Sequence, residues 1–572
     1  MNHTTRWALA LAAAAVAAPA AAQAPHPEGP LTHTARPTAA AISAEDLRTH
    51  IYTLAADSMK GRESGTRGNV MGTDYIAAHA QRMGLQPAGE NGTFFQAVPL
   101  VQRGLTPGAA LRAGGQALAE GTDFIAVPNY GTILHFAETF NATGVPVVYG
   151  GRVGDPASMI SPDQARGKLV VFDAPMGPNG QPAFAFWAGG RTYERYADAA
   201  GLAFATLDVT NAGIRGFLGS DRTEMQHDEE AADARRFPPA VIVSQAAAAR
   251  LMGKPLSGLR PGEAGGTASG SYSFFARPTA FPARNVVAVL PGTDPALRGQ
   301  YVALGSHNDH VGTTDEPVDH DSLLVFNRLL RREGADQEPE AMTPEKEAAF
   351  RQALAARRAG GPVRLDSIYN GADDDASGTA SMLEIAQHLA ANRPRRSVLF
   401  VWHTAEELGL YGSEYFTDHP TVPRDSIVAQ LNIDMLGRGS AGDLPSGGPE
   451  YVELVGSRRL STQLGDLVEE VNRTGGFGLR FDYSMDAPQH PQQIYCRSDH
   501  ANYARYGIPV TFFTTGGHSD YHMLTDEPQY IDYDKLANVT RFIAAVTTAV
   551  GNRAERLVVD KPVTGPDAPC EQ

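Results

Sequence analysis

The chain of 572 residues carries 64 acidic and 48 basic side chains, a formal net charge of -16, and 42% hydrophobic residues. Its length allows two or three hydrophobic cores, and its acidity argues against nucleic acid or anionic membrane as a partner, since both select for basic patches. Two cysteines, Cys496 and Cys570, are too few for a disulfide scaffold or a thiolate zinc site, so a metal here has to be held by histidines and carboxylates.

The first stretch, MNHTTRWALALAAAAVAAPAAAQAPHP, joins Arg6 to an Ala-rich apolar run and the small residues Ala20, Ala21 and Ala22. This pattern predicts a removable secretory signal over 1–22, too short and weakly apolar to span a membrane, and hence an exported protein, periplasmic or secreted. The Pro/Ala/Thr-rich residues 23–43 form a flexible leader. Ser43 caps a helix that begins with Ala44, Glu45 and Asp46. The Gly-punctuated GRESGTRGNVMGTDYIAAHAQRMGLQPAG follows, with a helical segment around Tyr75 to Met83, and residues 93–125 read as short strands and turns. The first part of the main domain is therefore assigned to 44–126.

From about 127 to 275 the pattern changes to short β runs, VPVVYGG, KLVVFDAP and AVIVSQ, with RTYERYADAAGLAFATLD among them. This segment reads as a smaller β-rich module that closes on the Gly/Ser-rich linker PGEAGGTASGSYS. Residues 280–553 then alternate strands and helices, and 554–572 form a tail. The strands are NVVAVLPG, YVALGSH, SVLFVWH, VAQLNIDM, YVELVGS and IPVTFFTTG; the helices are SGTASMLEIAQHLAANR, AEELGLYGSEYFTDH, STQLGDLVEEVNRTG and DYDKLANVTRFIAAVTTAVG. Continuous apolar strands between helices predict an α/β fold whose central sheet is mostly parallel and covered on both faces.

In such sheets ligands lie beyond the carboxyl ends of the strands. There the chain supplies His307 and Asp309 in GSHNDHVG, Glu406 and Glu407 in WHTAEE, Asp434 in NIDM, and His518, Asp520 and His522 in GGHSDYH; Asp373, Asp374 and Asp375 sit in NGADDDASG before a helix. Any one of these clusters could be a cap, an ion pair or a solvated turn. Their convergence on one sheet edge selects a metal. Histidine with carboxylate suits zinc, with cobalt or manganese as substitutes, and several acids in reach make two metals natural.

The ordered blocks SHNDHVG, NGADDDASG, HTAEELGLYGS, NIDMLGR and GGHSDYHMLTDEP resemble those of the co-catalytic dizinc exopeptidases, the family of bacterial leucyl aminopeptidase and glutamate carboxypeptidase. The opening GRES segment and ARNVVAVLPG resemble the family's amino-terminal part, and the 127–275 module, with its closing FPPAVIVSQAAAARLM, resembles an inserted protease-associated domain. The resemblance implies two zinc ions per chain. It implies His307 and Asp434 on one ion, Glu407 and His522 on the other, Asp374 between them, Glu406 as general base toward a metal-bridging water, and Asp309 orienting His307. His310 receives no ligand role and is read as a structural or pocket-wall residue. Tyr495 and Tyr521 both remain candidates for stabilising the oxyanion.

The implied activity is an aminopeptidase acting on peptides. The alternatives are a glutamate-carboxypeptidase-like dipeptidase, using Arg438 or Arg497 for a substrate carboxylate, and a non-catalytic binding protein on the same scaffold. The interval between His307 and Asp374 is longer than in minimal members, and VDHDSLLVFNRLLRREG and TPEKEAAFRQALAARR predict a helical excursion over the site mouth. Export into an oxidising compartment permits a Cys496–Cys570 bridge. Two free thiols are expected instead, because the tail lacks an apolar run to dock it. Substrate preference and oligomeric state are left open by the sequence.

Overall fold

The computed structural model describes residues 28–129, 136–154, 158–174, 190–226, 237–359, 361–563, 565–566 and 568–572; the signal-like segment 1–22 lies outside them. The central sheet has nine strands: β1 (Gln86–Pro87), β2 (Phe95–Val98), β3 (Ala283–Leu290), β4 (Tyr301–His307), β5 (Ser397–His403), β6 (Ile427–Ile433), β7 (Tyr451–Val455), β8 (Arg480–Asp482) and β9 (Val510–Thr514). Their order is β1-β3-β5-β4-β6-β9-β7-β8, with β2 also paired to β3. The middle of the sheet, β5-β4-β6-β9, is parallel, whereas β3 and β7 join it antiparallel. All six predicted apolar strands lie in this sheet, and the antiparallel pairs are confined to its flanks.

Side-chain alternation explains why these strands read as unbroken apolar runs. Along β3, Val286 and Ala288 enter one core while Val287 and Val289 enter the core on the opposite face. The first core is covered by α1 (Ala44–Leu54), α2 (Arg67–Arg82), α3 (Ala376–Ala391), α4 (Thr462–Gly475) and α5 (Tyr533–Asn552). Ser43 caps α1 by accepting the Asp46 N–H at 3.1 Å. Leu536, Val539, Phe542, Ile543, Val546 and Val550 recur at helical spacing along α5, and all are buried. Among the described residues, no helix is long and apolar enough to cross a membrane.

A second sheet of ten strands gathers chain from Leu100 to Pro278, so it includes strands that precede residue 127. Residues 100–105 and 110–113 pair with the long strand Ala264–Pro278, which carries the segment read from sequence as a linker. The two faces of this sheet bury separate apolar clusters. A small cluster of Val98, Leu100, Met225 and Ala283 seats it against Ala405, next to the Glu-Glu pair.

The excursion between His307 and Asp374 forms an antiparallel pair, Thr313–Asp319 with Leu365–Ile368, enclosing helices His320–Leu330 and Pro344–Arg358. Its Ala335 N–H donates to the Tyr521 carbonyl at 3.0 Å.

Two expectations change. The segment beginning at Ala405 is helical only from Tyr411 to Asp418, because Ala405 and Leu410 adopt left-handed backbone (φ 56° and 63°). Cys496 and Cys570 form a disulfide. The tail docks through polar groups in place of an apolar run: Gln572 accepts the N–H of Gln489 at 2.8 Å and that of Tyr495 at 3.0 Å.

Candidate metal centre

The parallel strands deliver the clusters to one edge. His307 ends β4 and pairs in register with His403 at the end of β5. Glu406 and Glu407 follow β5, Asp434 follows β6, and His522 lies in the loop after β9. Asp375 caps α3 by accepting the Gly378 N–H at 2.8 Å, which sets Asp374 just outside the helix.

Ligand atoms of His307, Asp374 and Asp434 lie within 4.8 Å of one another, as do those of His310, Asp374, Glu407 and His522. Asp374 belongs to both groups and divides its oxygens between them. Oδ1 is 3.0 Å from His307 Nε2, and Oδ2 is 3.0 Å from His522 Nε2. His307 Nε2 is 3.5 Å from Asp434 Oδ1, and His522 Nε2 is 2.8 Å from Glu407 Oε2. All five residues expected as ligands are thus brought together. Glu406 is adjacent and belongs to neither group.

The donor set fits zinc: nitrogen and carboxylate oxygen, without sulfur. Asp434 Oδ1 and Asp374 Oδ2 are buried without a hydrogen-bond partner, as expected of atoms that hold a cation. The electrostatics agree. Burial works against a proton on His522, yet Glu407 and Asp374 push its pKa up to about 11. Burial likewise disfavours charge on Asp374, but His307 and His522 hold it well below the usual carboxylate range. The cluster draws positive charge strongly, and a divalent cation answers that demand.

A scaffold of buried polar residues fixes the ligand loops. The Arg62 guanidinium donates to the carbonyls of Asn308 (3.2 Å), Leu54 (2.7 Å), Asn370 (2.8 Å) and Gly371 (2.8 Å). It thereby ties the loop after β4 to the Asp373–Asp375 turn. Gly61, at φ 65°, lets the chain approach Gly312 so closely that a Cβ would lie 2.1 Å from its carbonyl oxygen. Asp526 accepts the N–H groups of Asp373 and Asp374 at 3.0–3.1 Å. Ser498 Oγ donates to Asp434 Oδ2 at 2.8 Å and takes a bond from Asn432 Nδ2 at 2.8 Å. His522, Ala405 and Met435, the last two flanking Glu406 and Asp434, all have positive φ. Such strain, on the order of 1–3 kcal/mol each, gathers where surrounding structure over-determines a functional geometry.

Of the two readings of His310, structural or pocket wall, its surroundings favour a place within the cluster. It is buried, with Nδ1 2.6 Å from Glu407 Oε1 and 3.7 Å from Asp374 Oδ2, and it belongs to the His522 group. The second histidine of SHNDH was its only sequence signal. Asp309 touches His307 mainly through its own carbonyl, while its carboxylate accepts the Glu406 N–H. The tyrosines separate. Tyr521 lines a pocket together with Asp434, and Arg497 donates to its hydroxyl at 3.3 Å. Tyr495 packs under the Arg459 guanidinium and lines a different cleft, beside Cys570. Sequence distance could not separate them, because both lie close to residues of the site.

His518 and Asp520 brace the site from behind. His518 Nε2 is 3.2 Å from Asp373 Oδ2, and Asp520 accepts from Arg438 at 2.9 Å. A third group, His320, Asp366 and Glu527, has metal-like composition. Arg364 already donates to Glu527 Oε2 at 2.8 Å, and His320 Nε2 is 3.0 Å from the same oxygen. We read it as an ion-pair cluster tying the excursion to the TDEP turn.

Residues 285–547 match the model described as Peptidase family M28. That stretch is similar to the M28 peptidases. The matched stretch runs from β3 into α5 and contains every candidate ligand and Glu406. Over 177 residues, 29% of this chain, it is 32% identical to "Leucine aminopeptidase 1" of Paracoccidioides brasiliensis (strain Pb03). Over 151 residues, 26% of this chain, it is 30% identical to "Leupeptin-inactivating enzyme 1" of Streptomyces exfoliatus. The chain spans less than half the length of these relatives, 43% and 30% respectively. An "Aminopeptidase from Aneurinibacillus sp. strain AM-1" aligns over 92% of this chain and 98% of its own, at 17% identity and TM-score 0.46. The matched stretch coincides with the part of the chain that builds the parallel edge and the candidate metal centre; the ten-stranded sheet lies outside it.

Proposed function

We propose that the protein is a zinc-dependent aminopeptidase that binds two ions and removes the first residue of peptides. The observation that carries this reading is Asp374, whose two oxygens face two separate ligand groups. His307 and Asp434 would hold one ion, Glu407 and His522 the other, and His310 would support the second. Bound zinc would supply carbonyl polarisation and a more acidic water at these residues.

Glu406 is the general base. It stands outside both ligand groups, and its backbone is fixed by Asp309. Its carboxylate takes a proton from the attacking water and returns it to the leaving amine. Tyr521, on the rim with Asp434, is the better placed tyrosine for the oxyanion.

An aminopeptidase is favoured over a carboxypeptidase-like enzyme by the two arginines. Arg438 is buried between Asp443 and Asp520, and Arg497 makes a two-point pair with Asp336. Both guanidinium groups are engaged, so neither is left to receive a substrate carboxylate. The ten-stranded sheet is read as a protease-associated-type insertion that limits access. The amino-terminal pattern marks export to the periplasm or medium.

Metal analysis of the full chain, with hydrolysis of aminoacyl anilides and acidic dipeptides before and after chelation, tests this function. Two zincs per chain and chelator-sensitive release of the first residue are expected. One zinc, or turnover of acidic dipeptides alone, overturns it.

A further inference from the structure

A pocket of 140 Å³ opens beside Asp434 and Tyr521. That volume is close to the ~150 Å³ cavity that admits a single benzene, so it suits one side chain. Met435, Leu444, Met485 and Phe512 give it apolar walls, and Glu453 reaches it from β7.

Glu453 is out of place among these neighbours. It is 2% exposed, its Oε1 has no hydrogen-bond partner, and it makes no ion pair with a described Lys, Arg or His. Of the other charged groups in the pocket, Asp434 is a candidate metal ligand, and Arg497, Asp336 and Glu333 are engaged. Arg497 is matched by Asp336 at 2.8 and 3.0 Å, and Glu333 accepts from Gln492 at 3.3 Å. Gly516 keeps the Glu453 carboxylate open, since a Cβ at that position would lie 3.2 Å from Oε2. The Met485 backbone is its one hydrogen-bond partner, and a buried carboxylate without a cation is unfavourable and is normally neutralised or matched.

We propose that this pocket receives the first side chain of the substrate and that Glu453 selects a cationic one, lysine or arginine, by pairing with it. This rests on the aminopeptidase reading above. The apolar walls take the methylene stem and the carboxylate takes the head, the division natural to a long basic side chain. Burial, reinforced by Asp482, pushes the Glu453 carboxyl up to about 8, so the empty pocket favours the protonated acid and an arriving cation favours its ionisation. A leucine would leave the carboxyl unmatched, and sites built around a polar partner discriminate strongly against ligands that lack it.

The test compares kcat/KM for lysyl, arginyl and leucyl anilides on the zinc-loaded full chain. Lysyl and arginyl substrates should exceed leucyl by at least ~10-fold, and Glu453→Gln should cut the lysyl-to-leucyl ratio at least ~10-fold. Glu453→Leu should do the same if the Gln variant fails to fold. A wild-type preference for leucine, or an unchanged ratio in a folded variant, overturns the proposal. Calorimetry of lysinamide and leucinamide on zinc-loaded Glu406→Gln separates pocket from activity. Should no anilide be cleaved, the aminopeptidase reading fails; tighter lysinamide binding that Glu453→Gln abolishes then still supports the pocket assignment, and equal binding of the two amides overturns it.

Discussion

The Asp309 carboxylate accepts the backbone N–H of Glu406 at 3.2 Å, and the Asp309 carbonyl accepts from His307 Nδ1 at 3.1 Å. A carbonyl can only accept, so the His307 proton sits on Nδ1 and Nε2 faces Asp374 and Asp434. One residue therefore couples the tautomer of a ligand to the position of the base. Asp309→Ala should lower kcat by ~10–100-fold, whereas Asp309→Asn, which retains an acceptor, should lose less. Steady-state kinetics on both variants checks this.

Glu406→Gln should retain the metal and the fold but lose turnover by at least ~10²–10⁴, the range for a positioned acid–base group. Kinetics and metal content on the same preparation decide it. Near-normal activity would show that another group takes the proton.

Asp374→Ala should cost both ions, because its oxygens face both groups. His310→Ala should weaken zinc binding by ~10–100-fold, the usual effect of removing a group that orients a ligand. Chelator competition measures each. Unchanged affinity in His310→Ala would return that residue to the pocket wall.

The denatured, unreduced protein should show no free thiol at monomeric mass, since Cys496 and Cys570 are bonded. Cys570→Ser should lower stability by ~2–4 kcal/mol, the typical worth of a native disulfide. Thiol titration and denaturant unfolding provide the two readings.

Glu384 lies buried 3.4 Å from His50, far from the metal centre along α3. Burial, with Asp46 nearby, pushes its carboxyl from 4.5 up to about 8, while burial lowers His50 to about 3. Between those carboxyl values the folded protein keeps a proton that the unfolded chain has lost, so stability falls as pH rises through that window. Glu384→Gln keeps the polar contact without the charge. Its melting temperature should gain on the wild type more at pH 9 than at pH 5, as read by scanning calorimetry.

The sequence alone determined the parallel centre of the sheet, the helices around it and the strand-end clusters that contain the five residues expected as ligands. Apolar runs such as SVLFVWH and VAQLNI must be buried on both faces, and the strand ends they imply are where His307, Glu407 and Asp434 had to gather. Helices whose faces repeat every three to four residues, such as Tyr533–Asn552, were equally legible. What depended on contacts between distant segments was not. Arg62 reaches loops some 246 and 308 residues away, and nothing local in GRES states that its guanidinium will hold four carbonyls. His310 looked spare until Glu407 was placed beside it, and Tyr495 and Tyr521 were separated only by the packing of Arg459 on one and Arg497 on the other. The tail carries no apolar signal, yet polar bonds from Gln572 seat it beside Cys496. Periodicity encodes burial, which the chain states locally. Partner choice among polar groups is settled by which loops the fold brings together, and only the tertiary structure could decide it.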